Sequence, residues 1–250
     1  MKRDQKTINE RHEQILELLD KKKEVRVEEL AELFDISLMT VRRDLQLLDD
    51  KGLLERFHGG ARRIERKSIK SDLDLQHARD AISRYAATLL EDRDTLFING
   101  SMTASGMLEY VTARNVRIYT NNAFAAGYIT RKDIHIFLMG GELRNHIMVG
   151  DFCLRNLLSS HTKKAFLGCT GISLQGELMC DIPSELSINE TMLSHADEYY
   201  ILCDHTKLGK TEAAGSFSLP PSGTIITDAQ ADPEAIEKLR EIGLNVLVAQ

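Results

Sequence analysis

The four cysteines, Cys153, Cys169, Cys180 and Cys203, form no Cys-x-x-Cys pair. That spacing gives neither a disulfide frame nor a zinc cage, and it fits reduced thiols in a cytoplasmic protein without a structural metal. Long apolar runs are also missing. The longest, Tyr199–Cys203, is far short of the roughly 20 residues that cross a bilayer, and Met1-Lys2-Arg3-Asp4 leads into no apolar secretion segment. No membrane partner and no export are expected. What remains is ordinary globular material: 42% apolar and 28% charged residues in a chain of 250. This excludes bulk disorder, collagen-like repeats and a pure coiled coil, and allows one or two domains at about 150 residues each.

Excess positive charge is absent overall, with a formal net charge of −6. The average conceals an asymmetry: residues 1–70 carry +2 and residues 71–250 carry −8, with nine basic against five acidic residues between 37 and 70. An acidic body with a locally basic head permits DNA binding while discouraging indiscriminate adhesion to phosphate.

In the head, Ile8, Ile15, Leu18 and Leu19 fall at helical spacing until the charged run Asp20–Glu24. Val27, Leu30, Ala31 and Phe34 predict a second helix with Glu28 and Glu29 in its first turn, where carboxylates suit the helix dipole. Asp35-Ile36 is a tight connector, and Ser37 is placed to cap a third helix. At about 100° per residue, Val41, Leu45 and Leu48 share one side of that helix, while Met39, Arg43 and Gln46 project from the other, flanked by Thr40 and Arg42. This is the layout of a helix-turn-helix whose second helix enters the major groove. The Arg42 and Arg43 guanidinium forks suit guanine edges or phosphates, and Ser37, Thr40 and Gln46 suit base edges or backbone oxygens. A solvated charged face, with Arg43 paired to acidic neighbours, is the plainer alternative. Gly52 is expected to end the helix. Leu53–Phe57, a Gly59-Gly60 turn and Ala61–Ile64 then predict a hairpin wing bearing Arg56, His58, Arg62 and Arg63. For His58 two readings stand, a base contact and a packing or backbone-bonding residue.

The ordered pattern Val27-Glu28-Glu29-Leu30-Ala31-Glu32-Leu33-Phe34-Asp35-Ile36-Ser37, then Thr40-Val41-Arg42-Arg43-Asp44-Leu45, then Arg56-Phe57-His58-Gly59-Gly60-Ala61, resembles the DeoR-type winged helix-turn-helix.

Polar residues 65–71 lack periodicity, which predicts a head over 1–64, a linker over 65–74 and a body over 75–250. Within the body, Ala78, Ile82, Tyr85 or Ala86, and Leu89 mark a helix. Strands are predicted near 95–98, 116–119, 134–139, 164–169, 199–202, 224–227 and 245–248, with helices mostly between them. Such alternation predicts an α/β fold with a mainly parallel sheet covered on both faces. Ligands of open α/β sheets bind beyond the carboxyl ends of the strands, and the segments there are polar or glycine-rich. They are Asn99-Gly100-Ser101-Met102-Thr103, Thr120-Asn121-Asn122, Gly140-Gly141-Glu142, Gly168-Cys169-Thr170-Gly171 and Asp204-His205-Thr206-Lys207. The Gly100-Ser101 turn and a helix from Thr103 suit an anion, with Lys207 or Arg144 balancing its charge; Asn121, Asn122, Glu185 and Asp204 suit sugar hydroxyls. Each segment alone also reads as an ordinary capped turn.

The body resembles the sugar-phosphate sensor domain of DeoR-type repressors, related in fold to ribose-5-phosphate isomerase. The resemblance lies in Gly100-Ser101-Met102-Thr103, Thr120-Asn121-Asn122, Gly140-Gly141 and Asp204-x-Thr206-Lys207-x-Gly209. It implies a repressor of a carbohydrate-utilisation operon that binds double-stranded operator DNA under control of a phosphorylated sugar or related metabolite. Two departures stand out: Asn99 where the resemblance implies aspartate, and Asn189 where it implies lysine. Symmetric reading of DNA predicts a homodimer or homotetramer. No catalytic residue is expected. An isomerase using Asp181, Glu185, Asp204 and Lys207, or a regulator with a vestigial pocket, are the alternatives.

Overall fold

The computed structural model describes residues 11–12, 14–19, 21–50, 54–57, 59–62, 69–128 and 131–250, excluding the side chains of 43, 46, 47, 49, 50, 56, 69–73 and 126. Two compact units result, Met1–Lys70 and Ser71–Gln250. Residues 69–74 of the expected linker are helical, because the next helix already begins at Ile69; residues 65–68 lie outside the described set.

In the head, helix α1 (residues 14–19) leads through further helical backbone at 21–22 to strand β1 (Glu24–Arg26). The short β1 was not expected, since the charged run around it has no alternation. Helices α2 (Val27–Phe34) and α3 (Leu38–Asp50) follow, then strands β2 (Glu55–Phe57) and β3 (Gly60–Arg62). Ile15, Leu19, Val25, Leu30, Val41, Leu45, Leu48 and Leu54 pack into one core, so the helical spacing seen in the sequence is the spacing of burial. Asp35 closes α2 in the left-handed region (φ 50°), which aspartate tolerates, and Ile36 N donates to Ala31 O at 3.1 Å. The expected Ile8 and Gly52 lie outside the described residues.

The wing is a three-stranded antiparallel sheet of order β1-β3-β2, with Phe57 opposite Gly60. Gly60 therefore belongs to β3 rather than to the expected Gly59-Gly60 turn, and Gly59 takes the positive φ (+90°). Gly60 is needed for a different reason. A Cβ there would lie 2.3 Å from Val25 O and 2.7 Å from the Phe57 ring. The wing also completes α2, because Gly59 O accepts from Val27 N at 3.0 Å, one of the helix's orphan amides.

Helix α4 (Ile69–Thr88), which carries the boundary after Lys70, is followed by strand β4 (Thr95–Ile98). Helix α5 (Met102–Gly106) and strands β5 (Arg117–Thr120) and β6 (His135–Leu138) come next, followed by the hairpin β7 (Glu142–Arg144) and β8 (Ile147–Val149). Helix α6 (Asp151–Leu158), strands β9 (Thr162–Gly168), β10 (Gly171–Ile172) and β11 (Glu177–Cys180), and helix α7 (Pro183–Ser194) continue the chain. Strands β12 (Ala196–Leu202), β13 (Gly215–Ser218) and β14 (Thr224–Asp228), helix α8 (Pro233–Glu241) and strand β15 (Asn245–Ala249) complete it. The main sheet has order β15-β14-β12-β9-β4-β5-β6, and every pairing in it is parallel. All seven expected strands belong to it.

Alternate residues bury on opposite faces of this sheet. Phe97, Ala165, Leu167, Ile201 and Ile225 pack with Leu157, Ile188, Met192 and Leu239. Leu96, Ile98, Phe166, Leu202 and Ile226 pack with Ile82, Ala86 and Ala104. Burial on both faces explains why the strands read as short continuous apolar runs. From β4 the chain builds outward to β5 and β6, then crosses to β9, β12, β14 and β15, so the strand order reverses between β4 and β9. A second sheet, β10-β11-β13, is antiparallel.

Candidate functional site

In the head, the candidate site is the outward side of α3. Ser37 caps the helix, its Oγ accepting from Thr40 N at 3.1 Å and lying 2.9 Å from Thr40 Oγ1. Val41, Leu45 and Leu48 face inward, leaving Met39 and Arg42 exposed. The side chains of Arg43, Gln46 and Arg56, and all of His58, lie outside the described residues. Arg62 is exposed and forms a bidentate pair with Glu55, its Nε at 2.9 Å and Nη2 at 2.6 Å from the carboxylate. Exposed pairs of this kind are cheap to break, so Arg62 stays available to a phosphate.

A residue that sequence reasoning left unused anchors α3. Asp44 is buried and accepts from Arg11 Nε at 2.6 Å and Arg11 Nη2 at 3.1 Å, with His12 Nε2 also at 3.1 Å. The carboxylate beside the arginine pair is thus committed to Arg11 and His12. Its partners are 32 and 33 positions away, which no local pattern reveals.

In the second unit, a cavity of about 380 Å³ lies at the reversal of strand order, between the carboxyl ends of β4 and β9. Of the residues singled out in the sequence, Asn99, Gly100, Ser101, Thr103, Glu185 and Lys207 line it, together with Arg79, Thr170, Asp181 and Ile147. Asn99 ties its two edges together. Its Oδ1 accepts from Gly168 N (3.0 Å) and Ser101 N (3.2 Å), and its Nδ2 donates to Gly168 O (2.9 Å) and Asn189 Oδ1 (3.0 Å). An amide can both donate and accept here; a carboxylate could not donate. Asn189 Nδ2 in turn lies 3.1 Å from Cys180 Sγ. The two departures from the family pattern therefore touch, and form one neutral contact rather than two unbalanced vacancies of charge. Ser101 caps α5, accepting from Ala104 N at 3.3 Å.

Cationic groups reach the cavity from two elements. Lys207 Nζ donates to Cys169 O at 2.8 Å and lies 4.0 Å from Asp204 Oδ2. Arg79 Nε donates to Asp204 Oδ2 at 3.0 Å, with its side chain 37% exposed against 1% for Asp204. Asp204 does not line the cavity. It lies behind these cations and also accepts from Thr206 Oγ1 at 2.5 Å and Thr206 N at 3.2 Å. Burial works against its ionisation, but Thr206, Arg79 and Lys207 outweigh it and hold its pKa below the ordinary value. Glu185 behaves in the opposite way: burial raises its pKa, His146 opposing, and its Oε1 is buried without a hydrogen-bond partner. Arg79 was not expected, because its partner Asp204 is 125 positions away.

Besides Asp204, six expected residues do not line this cavity. Asn121 and Asn122 are buried and hold the β7–β8 hairpin in place: Asn121 Nδ2 donates to Met148 O (3.2 Å), Met148 N to Asn121 O (2.7 Å) and Ala123 N to His146 O (2.8 Å). Asn122 Nδ2 donates to Ser105 Oγ at 2.7 Å, and Thr120 Oγ1 accepts from Asn122 N at 3.0 Å. Gly140 and Gly141 bend the chain from β6 into the hairpin. Arg144 pairs with Glu142 at 3.0 Å, both exposed. These polar residues position Ile147, which packs so closely on the β4 loop that a Cβ at Gly100 would lie 2.7 Å from it.

Among the described residues no group of three or more His, Cys, Asp or Glu side chains could hold a metal, and no helix is long and apolar enough to cross a membrane.

A winged helix-turn-helix joined to an open parallel α/β unit, with a polar cavity at its switch point, defines a DNA-binding regulator with a small-molecule sensor. The family models agree: "DeoR-like helix-turn-helix domain" matches residues 11–67 and "DeoR C terminal sensor domain" matches residues 75–229. The chain is 31% identical over 243 residues to the lactose phosphotransferase system repressor of Staphylococcus aureus (strain N315), covering 93% of this chain and 96% of that protein. It is 27% identical over 229 residues to the uncharacterized HTH-type transcriptional regulator FruR of Bacillus subtilis (strain 168), covering 88% and 91%. Among solved structures, ribose 5 phosphate isomerase A from Neisseria gonorrhoeae is similar over 52% of each chain, at 10% identity and a TM-score of 0.38. The chain belongs to the DeoR family of transcriptional regulators.

Proposed function

We propose that this regulator represses a carbohydrate-utilisation operon in the cytoplasm, and that a phosphorylated sugar in the β4–β9 cavity controls its grip on operator DNA. The head grips the duplex through Arg42, Arg43, Arg56, Arg62 and His58, with Ser37, Met39, Thr40 and Gln46 completing the α3 face. A homodimer or homotetramer presents paired heads to successive half-sites. The observation that carries the sensor reading is the pairing of cations with one uncommitted carboxyl oxygen around a single cavity. Arg79 and Lys207 face it from two elements, and Glu185 Oε1 is buried there unpartnered. A phosphate matches the cations, and a sugar hydroxyl donates to the carboxylate. Asn99 and Asn189 keep the floor of the cavity neutral.

The protein binds this ligand without turning it over. Among the carboxylates an isomerase could use, Asp204 is spent on Arg79 and Thr206 and held ionised below the ordinary range, which makes it a weak base. Thermal unfolding of the full chain against a panel of pentose and hexose phosphates, the free sugars and inorganic phosphate tests this reading. A cognate ligand at a hundred times its Kd stabilises by about 2.7 kcal/mol. A melting temperature unmoved by every phosphorylated sugar would refute it, and isomerised product in the same mixtures would overturn its non-enzymatic part.

A further inference from the structure

We infer that Met39 reads the 5-methyl group of a thymine in the operator's major groove. The inference rests on α3 being the recognition helix. Ser37 caps α3, so Met39 occupies its first turn, where recognition helices touch base edges. The inward direction is set by the buried Val41, Leu45 and Leu48. Two residues before Val41, Met39 points about 160° away from it, along the middle of the outward face. Its side chain is 66% exposed, and its neighbour Leu38 is 44% exposed. The head gives Met39 no core to fill.

The chemistry of a thioether decides what it can read. It donates no hydrogen bond and accepts only weakly, so it cannot satisfy the amino groups of cytosine or adenine. Set against such a group it would desolvate a donor without replacing the lost hydrogen bond. Thymine alone presents a methyl group in the major groove, and an unbranched side chain with three rotatable bonds adapts well to it. Flanking Arg42 is exposed and supplies the charge that brings this apolar tip to the duplex.

The test uses a duplex selected from a randomised pool by the full-length wild-type protein. Each thymine is then replaced in turn by deoxyuridine, which removes only the methyl group. At one thymine or more in each half-site, wild type is expected to lose about fourfold in affinity. Met39→Ala should bind the thymine duplex about as weakly as wild type binds the uracil one, and should ignore that replacement. Wild type binding every uracil duplex as tightly as its parent, a selected site without thymine in the half-site, or Met39→Ala keeping the full sensitivity would each overturn the inference. Arg42→Ala on the same duplex separates the two levels. If it loses affinity while wild type ignores the methyl, only the Met39 assignment falls. If it binds like wild type, α3 is not the recognition helix and both fall.

Discussion

Glu185→Gln should stabilise the ligand-free protein slightly while weakening its ligand, an unusual pairing of signs that follows from one carboxyl group. Glu185 sits in the first turn of α7 with Oε1 buried and unpartnered, and burial raises its pKa. Leaving a buried polar group unsatisfied costs about 1–3 kcal/mol, and more when it is charged. Glutamine keeps the volume and removes the charge. The α7 dipole returns part of the gain, because a carboxylate in a first turn is worth about 0.3–1 kcal/mol. The net expectation is a gain of about 0–1 kcal/mol at pH 7, or roughly 0–4 °C for a unit of this size. The pH dependence has a definite sign. The folded carboxyl holds its proton above the unfolded pKa of about 4.3, so wild-type stability from this group falls as pH rises through the folded value. The glutamine variant's advantage should therefore grow between about pH 4 and pH 7. Loss of a charge-assisted hydroxyl contact, worth about 1.5–3 kcal/mol, should weaken the sugar phosphate tenfold or more. Thermal melts over that pH range, with and without ligand, measure both effects. A variant that melts several degrees lower at pH 7 and binds ligand unchanged would refute the reasoning.

Arg42→Ala should reduce operator retention in a gel shift by tenfold or more while leaving the unfolding free energy within about 0.5 kcal/mol of wild type, since the side chain is exposed. Gly60→Ala should destabilise the head by about 1–3 kcal/mol, because the new methyl would meet the Val25 carbonyl at 2.3 Å; a variant as stable as wild type by chemical denaturation would contradict that geometry. Lys164→Met should cost about 1.5–3 kcal/mol by removing the buried charge-assisted contact of Lys164 Nζ with Asp94 at 2.7 Å, while Lys163 Nζ stays within 3.0 Å of the same carboxylate, and urea melts would measure it. Burial opposes the ionisation of Asp94, but Lys164, the Glu91 amide and Lys163 prevail and lower its pKa. Its stabilisation is therefore full above about pH 3.9 and is lost as pH falls through the lower folded value, so wild type should weaken below about pH 4.

The large elements were legible because their burial is periodic. The seven strands of the main sheet are short apolar runs buried on both faces, and α3 keeps Val41, Leu45 and Leu48 on one stripe. The short strands β1, β7, β8, β10, β11 and β13 span two to four residues and fall outside the alternation of strand and helix that marked the main sheet. In the cavity, the loops after β4 and β12 were recognisable by position and polarity. Polarity alone misled at Thr120-Asn121-Asn122, none of which lines the cavity: Asn121 Nδ2 donates to Met148 O in β8, Thr120 Oγ1 accepts from Asn122 N, and Asn122 Nδ2 donates to Ser105 Oγ in α5. Arg79 was hidden for the converse reason: it looks like one more surface arginine on a helix until the fold brings Asp204 beside it.

The most direct test of coupling between cavity and head is fluorescence anisotropy of the full chain on its selected duplex, titrated with phosphorylated and free sugars. The account predicts that one sugar phosphate changes operator affinity by about fivefold or more, that its unphosphorylated form does not, and that Lys207→Ala binds the same duplex without responding. Operator affinity indifferent to every phosphorylated sugar, or a Lys207→Ala variant that responds as wild type does, would contradict it.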